Sequence, residues 1–291
     1  MLEALVGVLG NSHFEAWVAG PLIGAIVACI FAALGTRPPS GGRESQLSPH
    51  DARERIEDSR VRRQRNYGKE VHHHHYHGGG GGGKSNDDGS SFFIIAGIAS
   101  VVAMFLFAAF LPQIAFALYC FISGVAMFSM TASLLAWLTG QFNTIDWWQH
   151  AIFPFIVSVG CFWITEQANQ AISPDVVAFA QRLLGDNPMS AAVVISGSFK
   201  FFHALGDRYV HWMIFDMLAF ICLSLCAVVT LLQCVHYVAL SNTRASGGAG
   251  WRSLTIWTER FSGTGTVIFV SILLVASWFL ATGGMYRLVH Q

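Results

Sequence analysis

Imidazoles, thiols and a few carboxylates are the groups in this chain whose spacing could support chemistry, and metal binding is the chemistry they suggest first. His72, His73, His74, His75 and His77 form a run broken only by Tyr76. Imidazoles strung along a flexible chain bind zinc, nickel or copper without imposing a geometry, so this signal is compositional. The competing readings are a low-complexity linker and an engineered purification sequence, and the interrupting Tyr76 counts against the second. His203, Asp207 and His211 recur every four residues, which puts two imidazoles and a carboxylate on one face if a helix continues through Gly206. Arg208 offers Asp207 a simpler salt-bridge partner, and an interfacial polar face is the favoured reading. Asp146 and His150 repeat the spacing and take the same discount.

Asp216 is the only acid well within an apolar span, and His236 lies near the other end of that span. An ionisable residue inside a membrane is a functional candidate by default, so Asp216, His211 and His236 mark the expected path if the protein conducts or carries an ion. Cys222 and Cys226 share a helix face with Cys234 further along, a pattern that would suit copper(I) but is read here as small buried residues. The sequence carries no G-x-S-x-G elbow, H-E-x-x-H motif, P-loop or dinucleotide fingerprint. An enzyme is therefore not expected, nor a resident cofactor, zinc or another divalent metal being the only candidate.

The elements that must position these groups are membrane helices. The chain has 291 residues, 53% hydrophobic and 12% charged, with a mean hydropathy of +0.49; a globular domain has about 25% charged residues. Ser91 to Ile145 contains no Asp, Glu, Lys, Arg or His. A hydrocarbon layer of about 30 Å takes about 20 apolar helical residues, so this run predicts two spans with a turn at Pro112 and Gln113. The expected fold is all-α and polytopic, with about six transmembrane helices at 15–35, 92–111, 114–139, 149–165, 212–240 and 264–285. Three regions follow: 1–35 with the first span, a polar low-complexity insert at 36–90, and a five-helix region at 91–291 containing an external helical segment at 166–211.

Within 36–90, Asp51 to Tyr67 reads as a charged helix or a disordered stretch, and Gly78 to Gly83 as a linker. Ten of the seventeen Lys and Arg residues lie between Arg37 and Lys84. With Arg244, Arg252 and Arg260 in a second basic loop, the positive-inside rule predicts both segments to be cytoplasmic and both termini outside. Trp17, Trp137, Trp147, Trp148, Trp212 and Trp257 read as interface anchors. In the external segment, Ser173-Pro174-Asp175 predicts a helix start and Gly185 its end, followed by a second helix along the membrane surface.

Gly20, Gly24, Ala28 and Ala32 recur every four residues in the first span, a stripe that lets another helix approach closely. The stripe, a first helix separated by a long linker, the external segment and the scarcity of intramembrane charge predict a non-enzymatic subunit of a larger assembly. Its expected setting is a bacterial inner membrane, in a secretion or DNA-transfer machine. Expected partners are the lipid bilayer and other membrane subunits, or self-association through the first helix, with no direct nucleic acid contact. The alternative is an ion or metal channel or transporter using Asp216, His211 and the His-rich loop.

Overall fold

A computed structural model describes residues 12–35, 88–138, 145–185, 190–246 and 249–290. Among them the order is α1 (Ser12–Gly35), α2 (Asp88–Leu138), α3 (Ile145–Ala171), α4 (Pro174–Leu184), α5 (Ala191–Ala204), α6 (Asp207–Ser246), α7 (Ala249–Thr258), a 3-10 turn (Glu259–Phe261), α8 (Thr264–Ala281) and α9 (Gly284–Val289). Helix is the only regular structure in these residues, as a chain short of water requires, because each helix satisfies its own backbone. The His72 to His77 run, the Asp51 to Tyr67 stretch and the six glycines fall outside the described residues. So do the side chains of Ala32, Asp146, His150 and Asp207.

One expectation is overturned outright. Pro112 and Gln113 make no turn: α2 is a single helix of 51 residues with Pro112 inside it, about 75 Å long at 1.5 Å per residue. Proline removes one N–H from the helix ladder and crowds the preceding turn. Opening a turn among apolar residues would expose several backbone groups, so one lost bond is the smaller cost. Outside the helix, Gln181 Nε2 on α4 donates to Ala109 O at 3.2 Å, next to the Ala108 carbonyl that Pro112 leaves without its N–H.

With that hairpin gone, the count of six spans is not supported. Three helical segments are long and apolar enough to cross a membrane among the described residues: Ile95–Leu134, Arg208–Leu240 and Thr264–Ala281. The apolar part of α1, Gly20–Ile30, is shorter. Helix α3 runs past Glu166 to Ala171 and ends in polar residues.

The small-residue stripe of α1 is occupied within the chain. A Cβ on Gly20 would meet Ser123 and the Cys120 carbonyl, and one on Gly24 would fall on the carbonyl oxygen of Gly124. Ala28 joins Phe128 and Cys234 in a small buried cluster. The matching order shows α1 running parallel to the C-terminal half of α2, backbone against backbone. The opposite face of α1 leaves Leu22, Ile23, Ile26 and Ile30 exposed.

The main core gathers the middle of α2 with α3, α4, α5, α6 and α8. Phe107 meets Phe220 edge to face across α2 and α6, and Phe105 meets Phe201 of α5 in the same manner. Helices α6 and α8 are antiparallel: Cys226 Sγ reaches Val270 O at 3.9 Å, and Gly283 lies against Trp212. The α4 boundaries follow the sequence signals. Ser173 Oγ accepts from Asp175 N–H, Pro174 opens the helix, and Gly185 ends it with φ of 61°. The α5 helix forms as expected, but Gly197, Ser198 and Phe201 are buried, so one of its faces is packed on α2.

Gly24→Val should separate α1 from α2 and cost on the order of 1–3 kcal/mol, because the obstacle is backbone. Gly97 has open space around its α-carbon, so Gly97→Ala should instead gain about 0.5–1 kcal/mol as a helix-interior replacement. Unfolding titrations of the detergent-solubilised variants would measure both.

Candidate functional site

Polar groups concentrate where α2, α3, α4 and α6 meet near Pro112. Tyr119, only 2% exposed, donates its hydroxyl to Glu166 Oε2 at 2.6 Å, and Gln170 Nε2 donates to Glu166 Oε1 at 2.6 Å. Both carboxylate oxygens of Glu166 thus hold strong donors, one from the neighbouring helix. Glu166 and Gln170 are one turn apart on α3, which lets both reach the same point. At the other end of this region, Ser173 N–H donates to the Tyr209 hydroxyl at 3.2 Å, tying the α3–α4 junction to the first turn of α6.

Beside these bonds lies a cleft of about 290 Å³, lined by Pro112, Tyr119, Asn169, Ile172, Gln181 and further apolar residues. Its polar lining is two amides and a phenol already engaged with Glu166. The lining holds no Ser, Cys, His or Lys, and so no ordinary nucleophile. The cleft can offer amide hydrogen bonds to a neutral group and little else.

Asp216 sits deeper, on α6. It is 2% exposed, and neither carboxylate oxygen has a hydrogen-bond partner among the described residues. Tyr209, two turns back on the same face, lies within its electrostatic reach. A buried polar group left unmade costs about 1–3 kcal/mol, so its presence calls for an explanation outside packing. Gln233, with no exposure, also has both amide atoms unpartnered. At 1.5 Å per residue it lies about 25 Å further along the helix.

The expected constellations are only partly assembled. His236 is buried and shares a 3.0 Å hydrogen bond with Thr258 Oγ1. Its position is about 30 Å along α6 from Asp216 and on a nearly opposite face, so the two do not line one face of the helix. The condition for His203, Asp207 and His211 is not met: α5 ends at Ala204, Leu205 is extended, and α6 starts afresh at Asp207. No group of three or more His, Cys, Asp or Glu residues is placed to hold a metal among the described residues. Cys226 shares a thiol contact with Cys161 on α3 and reaches Val270 O on α8.

The Tyr119–Glu166 bond, the Gln181–Ala109 bond, Gln233 and His290 lie outside the expectations drawn from the sequence. A signal existed for two of them. Tyr119 is the one tyrosine in the charge-free run, and Gln233 is the only amide between Leu231 and Val235. Comparison with family models, curated proteins and solved structures finds no match.

Tyr119→Phe should cost about 1.5–3 kcal/mol, the range for a hydrogen bond to a charged group. In Glu166→Gln the same tyrosine change should cost clearly less, a coupling that a double-mutant cycle in unfolding free energy would reveal.

Proposed function

We propose that this chain is a non-enzymatic integral subunit of a larger membrane assembly, with the two ends of α2 as its docking surfaces. The supporting observation is a mismatch of lengths. The apolar segment Ile95–Leu134 has 40 residues, about 60 Å of helix, against a hydrocarbon core of about 30 Å. Even a tilt of about 40° leaves roughly 20 Å of apolar helix outside the core. Exposed apolar side chains occupy both ends, with Ile95 66% and Ile98 44% accessible at one and Met130 57%, Leu134 53% and Leu138 66% at the other. Apolar surface that lipid does not reach is covered by protein in a stable complex. The α1 stripe does not serve this role, since α2 of the same chain already fills it.

The setting we propose is a bacterial-type plasma membrane. Arg244 lies in the last turn of α6, and Arg252 and Arg260 lie between α6 and α8; the positive-inside rule puts this basic end on the cytoplasmic side. The Trp212 end of α6, and α9 with it, then face outside.

Photo-crosslinking residues placed at Ile98 and Leu134, with a control at the lipid-facing Ile272, would test the reading at native expression level. The expected result is a protein adduct at one or both α2 positions and none at the control. A lone 31.8 kDa species, uncrosslinked at either end after mild extraction and sizing, would overturn it.

Asp216 favours a second reading, an ion or metal channel or carrier. Here Asp216→Asn and Asp216→Leu should abolish flux while Asp216→Leu raises unfolding stability by about 1–3 kcal/mol, the signature of a group kept at a structural cost. Unchanged flux in liposomes for both variants would remove this reading.

A further inference from the structure

The helix break at Gly206 takes His211 away from His203, and the C-terminal helix α9 brings it a different imidazole. The ring centres of His211 and His290 lie 5.3 Å apart, with an interplanar angle of 53°. Both side chains are exposed. We propose that these two histidines bind a divalent transition metal of the zinc, copper or nickel class, which fastens α9 to the start of α6.

Distance is the first argument. Two imidazoles bound to one tetrahedral metal through nitrogens at about 2.0–2.1 Å have ring centres separated by about 5 Å. The observed spacing is already within a few tenths of an ångström of that value.

Orientation is the second. His290 Nδ1 lies 3.0 Å from the Tyr286 carbonyl oxygen, and a carbonyl can only accept, so Nδ1 carries the proton. In the neutral ring the Nε2 lone pair is then free, the arrangement in which a backbone carbonyl fixes the tautomer of a metal-binding histidine. His211 has no hydrogen-bond partner among the described residues, which leaves its nitrogens available too.

The local sequence also holds the pair in place. The His290 ring stacks on Tyr286 at 4.3 Å and 22°, and Tyr286 meets Trp212 edge to face at 5.4 Å. Trp212 occupies the space where a side chain at position 283 would stand. Gly283 also turns the chain from α8 into α9 with φ of 70°, so glycine is required there on both counts. Water or an anion would complete the coordination sphere on the open side.

The test uses the full chain in detergent with His72, His73, His74, His75 and His77 changed to Ser, so that the imidazole run does not compete. Zinc and copper(II) alone are the probes, followed by calorimetry. One equivalent should bind, and His211→Ala or His290→Ala should each weaken it at least tenfold. Spectroscopy of the copper(II)-loaded parent should show two coupled imidazole nitrogens, a readout that no substitution can confound. A chain free of the run that binds no equivalent, or a copper spectrum with one nitrogen or none, would overturn the site. Undiminished binding after either substitution would overturn it as well.

Discussion

Much of this fold depends on the requirement that a backbone deprived of water find its hydrogen bonds within the protein. Its effect is clearest at Pro112. In water a proline in the middle of a helix is a natural stopping point, because the freed groups are solvated at once. Among apolar side chains that escape is closed, and α2 continues. Gln181 joins α4 to α2 within one turn of Pro112, and α5 packs nearby with Phe201 against Phe105. The cleft beside Pro112 is the space left between α2 and the helices gathered there.

The same requirement explains how α1 is held. Two helices without polar side chains to join them associate through close backbone approach, and glycine is what permits it. Gly20 and Gly24 spend their lack of a side chain on Cys120, Ser123 and Gly124. The opposite side of α1 is left with large exposed apolar residues. By contrast, the polar contacts are concentrated near the α3–α4 junction, with Glu166 at the centre of the strongest set.

Sequence reasoning recovered what depends on local chemistry and missed what depends on partners distant in the chain. The α4 helix was readable to within a residue because Ser173, Pro174 and Gly185 act on their immediate neighbours. Helical membrane character was readable from the absence of charge in 91–145. The continuity of α2 was not, because whether a turn opens at Pro112 depends on helices that pack there from distant parts of the chain. The destination of the α1 stripe was equally hidden, since small residues every four positions announce a close contact without naming its other half. For His211, spacing suggests a neighbour in sequence across a glycine, whereas the ring that reaches it stands on α9.

The parallel pairing of α1 with the second half of α2 has a consequence in time. Gly24 and Gly124 are separated by 100 residues of chain, which a ribosome working at about 5–20 residues per second takes roughly 5–20 s to deliver. Throughout that interval α1 has emerged with its glycine face open and no α2 to receive it. The insert at 36–90 lengthens the wait by its own synthesis. Assembly of this protein therefore contains an obligatory pause, during which a chaperone, an insertase or another copy of the chain can occupy the α1 surface before its own partner arrives.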